Sequence, residues 1–192
     1  MAQRAVPGSP WMTFEEAARL DAKEQGGEIV GGRWVPVTRS TWSHGEILAE
    51  LCFWLKQYAR SAPGWSVAVG DPGTKLAAEP PALRGPDAAL VRAERRPLGK
   101  GAAGWLDGAP EVVFEVQGDS QSATELARKA LEYMASGSRM VVVLDPERQS
   151  ALVYTPPDHI AVLGPEAELE GGEVLPGFRV RVGDLFPAPP PQ

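Results

Sequence analysis

The sequence is poor in the residues that build several common kinds of catalytic site. It contains one cysteine, Cys52, and two histidines among 192 residues. A single cysteine forms no intrachain disulfide, and one cysteine with two histidines makes a Cys/His zinc site implausible. The GxSxG nucleophile motif and the GxxxxGK[ST] phosphate-binding loop are both missing. Any catalysis must therefore depend on carboxylates, a lysine or a hard metal ion.

Long apolar runs and a basic overall charge are also missing. No apolar run is longer than Met140 to Leu144, which is far below the roughly 18 residues that a membrane helix needs. The first residues show no apolar segment behind their charge, so neither secretion nor membrane insertion is indicated and we expect a cytoplasmic protein. The net charge of −6 disfavours tight nonspecific binding to nucleic acid, which depends on Lys and Arg.

Length and composition favour one folded domain. A chain of 192 residues buries a sizeable core as one unit, and 21 Gly plus 19 Pro stay below the share that marks disordered chains. Residues 1–11 lack periodicity and residues 187–192 are rich in proline, so we expect a flexible N-terminus and a loose C-terminal tail. The predicted domain covers residues 12–186.

Capping and turn patterns predict a mixed α/β chain. Capping boxes at Thr13–Glu16 and Ser122–Glu125 predict helices over 13–24 and 122–136. Apolar spacing over 41–60 predicts the longest helix, and Gly31-Gly32 predicts a hairpin turn. Further strands are predicted over 65–69, 74–77, 87–92, 111–117, 139–144, 151–154, 159–163 and 178–182. The expected fold is α/β, with a central mixed sheet flanked by helices.

Two carboxylates and a lysine form the most informative constellation. Asp87 follows Pro86 at the head of a predicted strand, and Glu115 lies inside an apolar strand, where an unpaired charge costs several kcal/mol. A divalent cation would compensate that charge with oxygen ligands. Lys129 lies at the edge of the apolar face of the next helix, within reach of the Glu115 strand. Ordinary structural roles stay open: Asp87 capping a turn, Glu115 paired with an arginine, and Lys129 paired with the helix residue Glu125.

The order of these motifs resembles the PD-(D/E)xK nuclease superfamily and, more narrowly, the Uma-two family of restriction-endonuclease-like proteins. The similarity extends over nearly the whole chain and is carried by an ordered set of short segments. These are Met12–Glu16, Glu28–Arg33, Ser43-His44, Pro86-Asp87, Pro110–Val116, Lys129–Tyr133, Leu144–Pro146 and Leu175–Phe178.

The resemblance implies a restriction-endonuclease-like fold and a metal-dependent site. Asp87 and Glu115 would bind Mg²⁺ or Mn²⁺, and Lys129 would orient the attacking water or neutralise charge on the phosphate. Gln117 would lie where the superfamily often has its lysine and would be a catalytic residue whose amide holds a metal-bound water. Glu28 and His44 match family positions and would be accessory residues near the substrate.

A basic segment lies next to this constellation in the sequence. Residues 84–100 carry five cations, which we interpret as a nucleic-acid-binding loop, with a solvated surface loop as the alternative. They are Arg84, Arg92, Arg95, Arg96 and Lys100.

These features lead to two functional hypotheses. The first is a Mg²⁺-dependent endonuclease that hydrolyses DNA through a metal-activated water and acts as a homodimer or higher homo-oligomer. The second is a catalytically silent, nuclease-derived module that binds nucleic acid or protein and assembles into oligomers. Superfamily resemblance is an argument by analogy, so the site itself must support either one.

Overall fold

The computed structural model describes residues 10–24, 26–37, 39–119 and 121–188. Three α-helices are present in these ranges: α1 (Phe14–Glu24), α2 (Trp42–Ser61) and α3 (Ala123–Ala135). The strands are β1 (Gly27–Val30), β2 (Arg33–Pro36), β3 (Trp65–Val69), β4 (Thr74–Leu76), β5 (Ala82–Arg84), β6 (Ala88–Arg92), β7 (Leu106–Asp107), β8 (Val112–Val116), β9 (Met140–Asp145), β10 (Ser150–Thr155), β11 (His159–Leu163), β12 (Glu168–Glu170) and β13 (Arg179–Arg181).

A six-stranded mixed sheet forms the centre of the fold. Its strand order is β11-β10-β9-β8-β6-β3, and β8 and β9 are its parallel pair. Helix α3 connects these two strands, as parallel neighbours require a long crossover. A five-stranded sheet of order β2-β1-β5-β4-β7 and a two-stranded sheet of β12 and β13 complete the described strands. The expected mixed sheet with flanking helices is confirmed.

Strand alternation decides which residues of β8 face each helix. Val112, Phe114 and Val116 belong to the core cluster that includes the buried residues of α2. Val113 belongs to a second core cluster, which includes the buried residues of α3. Because side chains alternate between the two faces of a strand, Glu115 lies on the α3 side with Val113. The acidic side chain of Glu115 therefore lies beneath α3, on a strand that is buried on both faces.

Local signals explain the helix ends. The Ser122 hydroxyl accepts from the Glu125 amide and the Glu125 carboxylate accepts from Ser122, so the predicted capping box is present. Thr13 and Glu16 make the same exchange at the start of α1. Thr41 caps α2 by accepting from the His44 amide at 3.4 Å. These contacts satisfy backbone donors that a helix start leaves free.

Three short strands were not predicted from the sequence. Strand β5 has three residues between Pro80-Pro81 and Gly85-Pro86, so its flanks indicate a loop. Strand β7 has two residues inside the Gly-rich stretch, and β12 is acidic and three residues long. Strands this short have too little alternation to be recognised.

The predicted termini lie largely beyond the described part of the chain. Residues 1–9 of the expected flexible N-terminus and residues 189–192 of the expected proline-rich tail are outside it. Within the described ranges, no helix combines the length and apolar character needed to cross a lipid bilayer.

Candidate active site

Strand pairing brings Asp87 to the end of β8. Strand β6 runs antiparallel to β8, with Ala88 opposite Phe114, so the residue before β6 lies beside the last residues of β8. The Asp87 Oδ2 atom accepts a hydrogen bond from the Val116 amide at 2.6 Å. Asp87 and Glu115, predicted as metal ligands, line the same pocket.

Helix α3 places Lys129 over Glu115. Leu126, Ala130 and Tyr133 form the buried stripe of α3, and Lys129 lies at the edge of that stripe. Its ammonium lies 3.0 Å from Glu115 Oε2 and 3.0 Å from the carbonyl oxygen of Gly85. The predicted proximity of Lys129 to the Glu115 strand is therefore present.

Glu28 is the third acceptor for this lysine. Its Oε1 atom lies 2.9 Å from Lys129 Nζ and accepts from the Gly85 amide at 3.0 Å. Since an ammonium has three donors, Glu28, Glu115 and Gly85 use all of them. Glu28 thus lies within the candidate site, where the sequence had assigned it an accessory position.

Arg84 forms an ion pair with Glu28. Its Nη1 donates to Glu28 Oε2 at 2.8 Å and its Nε donates to Glu132 Oε2 at 2.9 Å. Its Nη2 also pairs with Glu132, and the residue is only 3% exposed. This cation is engaged by two carboxylates and also lines the pocket, so its predicted role in binding nucleic acid stays a prediction.

The other cations of the predicted basic loop lie elsewhere. Arg95 pairs with Glu111 and donates to the carbonyls of Asp107 and Ala109. Arg92 lies over the Trp65 ring, 4.0 Å from its centroid. Among the residues that the structure describes, the pocket lining contains neither of these arginines, nor Arg96 or Lys100. Their role in binding nucleic acid stays a prediction.

His44 contacts the other oxygen of Asp87. Its Nε2 atom lies 3.2 Å from Asp87 Oδ1, and its Nδ1 atom is buried without a partner in the described structure. The hydrogen bond that Asp87 accepts from the imidazole raises the pKa of His44, whereas burial lowers it. The imidazole therefore helps to fix the Asp87 carboxylate.

Gln117 is placed differently from the other predicted catalytic residues. Its side-chain amide donates to the Gln121 carbonyl at 3.5 Å, and the residue is not among those that line the pocket in the described structure. The neighbouring Gly118 and Gln121 do line it. A role for Gln117 in holding water stays a prediction.

The pocket itself is large and polar. It measures about 540 Å³ and is lined by Glu28, Asp87, Glu115 and Lys129 together with His44. Exposed arginines at 39 and 128 also line it. The sequence interpretation missed these two cations, although Arg128 directly precedes Lys129.

Asp71 is a further carboxylate that the sequence interpretation missed. It follows β3 in a Gly-Asp-Pro-Gly turn and lines the same pocket. Burial and the charge of Asp87 raise its pKa. An acidic residue in a turn directly after a predicted strand was the available signal, but nothing in the sequence alone placed it beside Asp87.

The electrostatics of the site show an excess of negative charge. Burial raises the pKa of Glu115 to about 8. The charges of Asp87 and Glu28 also raise this pKa, whereas the charge of Lys129 lowers it. Burial lowers the pKa of Lys129, but Glu115 and Glu28 outweigh it and hold that pKa above its ordinary value. The pocket lining holds six carboxyl groups and four basic side chains. The carboxyl groups are those of Glu28, Asp71, Asp87, Glu115, Asp119 and Glu125, and the basic side chains are those of Arg39, Arg84, Arg128 and Lys129.

Glu115 also has unused coordinating capacity. Its side chain is 2% exposed, and its Oε1 atom has no hydrogen-bond partner in the described structure. The hydroxyl of the fully buried Tyr133 lies close to this carboxylate, and burial, the charge of Glu115 and a hydrogen-bond interaction with Glu115 raise the pKa of Tyr133 well above its ordinary value. A buried carboxylate oxygen without a partner is a costly arrangement that a cation would relieve.

The donor set suits a hard cation with few protein ligands. Among the described residues, no group of three or more His, Cys, Asp or Glu side chains is arranged to hold a metal ion. Mg²⁺ commonly takes one or two carboxylates, with water and substrate phosphate completing the shell. Asp87 and Glu115 meet that requirement.

Comparison with known proteins identifies the family and supports the fold. The Uma2 family, described as "Putative restriction endonuclease", matches residues 11–183. The fold is similar to the crystal structure of "a putative nuclease belonging to DUF820" from Anabaena variabilis, with a TM-score of 0.78 and 20% identity over 91% of this chain and 97% of that chain. No curated protein matches the sequence. The chain belongs to the Uma2 family of restriction-endonuclease-like proteins.

Proposed function

We propose that this protein is a Mg²⁺- or Mn²⁺-dependent endonuclease that hydrolyses DNA phosphodiester bonds. The observation that carries the proposal is the state of Glu115. This carboxylate is buried, shares a pocket with Asp87 and keeps one oxygen without a protein partner. Family membership supports this reaction class, since the family is described as "Putative restriction endonuclease".

Asp87 and Glu115 would hold the cation. The Val116 amide and His44 fix the two Asp87 oxygens, and Lys129 fixes one oxygen of Glu115, so both carboxylates are preorganised. A divalent cation in such a site polarises a phosphoryl oxygen and lowers the pKa of water. The surplus of carboxylates over cations around the pocket favours its binding electrostatically.

Lys129 would act through its charge and its three contacts. Two of its acceptors are carboxylates and the third is the neutral carbonyl of Gly85. A substrate phosphate most readily replaces the carbonyl, because an ion pair is stronger than a hydrogen bond to a neutral acceptor. Lys129 would then neutralise developing charge on the phosphate while still orienting Glu115.

DNA is the proposed substrate because the pocket offers cations at its rim. Arg39 and Arg128 are exposed and line the pocket, where they can contact phosphates on either side of the cleaved bond. These two positive charges lie where the phosphates would bind, and they locally offset the net negative charge of the chain. The predicted homodimer or higher oligomer stays part of this proposal.

The decisive experiment combines Mn²⁺ calorimetry with plasmid nicking. We expect the wild type to bind Mn²⁺ and nick DNA, whereas Asp87→Asn and Glu115→Gln lose metal binding and at least about a hundredfold of nicking. The matched control is Glu50→Gln, which changes an exposed carboxylate of α2 and retains both properties. A wild type that binds no Mn²⁺ and leaves plasmid intact would refute the nuclease and favour the silent binding module.

A further inference from the structure

Trp42 is an exposed aromatic residue whose position calls for an explanation. Its side chain is 85% exposed, the largest value among the exposed large apolar residues of the described chain. Indole rings usually bury most of their surface, because each one carries a large apolar area. An indole held almost wholly in solvent is available for binding.

The position of Trp42 links it to the candidate active site. It is the first residue of α2, next to Thr41, which caps the helix and lines the pocket. A helical side chain points back toward the helix N-terminus and covers the turn before its own Cα. Trp42 is not itself among the residues that line the pocket in the described structure, but it directly follows residues 39–41, which do, so it lies at the outer rim of the pocket.

The charges around the pocket indicate an anionic ligand at this rim. Arg39 is exposed and makes no ion pair within the described structure, and Arg128 lies on the same pocket. Cations that follow a phosphate backbone, next to aromatic rings on which bases stack, are the usual means of binding single-stranded nucleic acid. Arg39, Arg128 and Trp42 supply both parts.

We propose that Trp42 is a stacking platform for an unpaired nucleobase next to the cleaved phosphate. In a paired duplex, both faces of an internal base are covered by its neighbours, so an indole can stack only on a base that is single-stranded or displaced. The proposal rests on the nuclease function proposed above and adds a substrate class. Single-stranded or locally unpaired DNA is bound more tightly than a continuous duplex.

Fluorescence anisotropy with labelled oligodeoxynucleotides tests the stacking. The full chain is titrated with Ca²⁺ in place of Mn²⁺, and gel analysis checks that the DNA stays intact. We expect Trp42→Ala to weaken single-strand binding about tenfold or more, and Trp42→Phe to restore most of that loss. The wild type should also bind an abasic oligonucleotide of the same length more weakly, whereas Trp42→Ala should bind both equally.

Phe53→Ala is the matched control. Phe53 is 58% exposed on the same helix, and its Cα is about 16 Å further along the axis. We expect this variant to bind DNA as the wild type does. Equal single-strand affinity of the wild type and Trp42→Ala, an equal loss in Phe53→Ala, or no DNA binding by the wild type would each overturn the proposal.

Two further outcomes separate this proposal from others. If Trp42→Ala changes the sedimentation of the protein and leaves DNA affinity unchanged, Trp42 is a protein contact and the stacking proposal is refuted. If Mn²⁺-dependent nicking fails while the tenfold binding loss remains, the nuclease proposal fails and the stacking site stands. If the wild type nicks DNA and Trp42→Ala leaves the single-strand affinity unchanged, the stacking proposal fails and the nuclease proposal stands.

Discussion

The guanidinium of Arg84 lies 2.8 Å from the carboxylate of Glu28, beneath the candidate active site. The other oxygen of Glu28 contacts Lys129, which in turn contacts Glu115. Arg84 therefore fixes Lys129 through Glu28. A cation that the sequence assigned to DNA supports the site from inside the protein.

Substitution of Arg84 should destabilise the fold strongly. Arg84→Gln removes the buried cation that Glu28 and Glu132 share and leaves Glu28 with Lys129 alone. Breaking a buried ion pair by removing one partner costs about 3–5 kcal/mol. We expect the free energy of unfolding in urea to fall by about that amount.

Arg96→Gln provides the comparison for this effect. Arg96 is an exposed cation of the same sequence segment, so its removal should change stability by less than about 0.5 kcal/mol. Equal stability of the two variants would show that Arg84 is not the support that its contacts indicate.

The proximity of Glu115 and Lys129 was predictable because its signals are local. An acidic residue inside an apolar strand identified Glu115, and the apolar stripe of the following helix placed Lys129 near it. The capping boxes gave the starts of two helices for the same reason. Each of these patterns depends on residues only a few positions apart.

The contacts of Arg84 and Asp71 were not predictable, since they depend on distant segments. Arg84 pairs with residues 56 and 48 positions away, and its strand is too short to show alternation. Asp71 comes near Asp87 because β3 and β6 pair, which no local pattern specifies. The sequence alone could therefore not distinguish a buried arginine from a DNA contact.

The stability of the protein should depend on Glu28 at acid pH. Burial opposes ionisation of Glu28, but Lys129 and Arg84 outweigh it and hold its pKa below the ordinary value. Because the folded state binds the proton more weakly, Glu28 contributes stability above its unfolded pKa of about 4.3. That contribution disappears as pH falls through the lower folded pKa.

Urea unfolding of the wild type and Glu28→Gln across pH measures this contribution. We expect the wild type to be more stable by roughly 2 kcal/mol at pH 7, and the difference to shrink as pH falls below about 4. A difference that stays constant from pH 7 to pH 3 would contradict the assignment of the charge.

Metal binding should release a proton from Glu115. Without metal, burial raises the pKa of this carboxyl to about 8, so it is largely protonated at pH 7 and must ionise to bind a cation. Calorimetric titration with Mn²⁺ at pH 7, in buffers of different ionisation enthalpy, should report the release of most of a proton. At pH 9 the release should be much smaller. A binding enthalpy independent of buffer at pH 7 would show that Glu115 is already ionised.

Lys129→Met separates metal binding from catalysis. The substitution removes the ammonium and leaves both proposed metal ligands, so we expect the Mn²⁺ affinity to stay within about tenfold while nicking falls at least about a hundredfold. The control is Lys56→Met, which changes an exposed lysine of α2 and should retain both. Wild-type nicking by Lys129→Met would exclude a catalytic role for this lysine. Joint loss of metal binding and nicking would instead show that Lys129 acts by holding Glu115 in place, because only the orientation of that carboxylate connects the lysine to the cation.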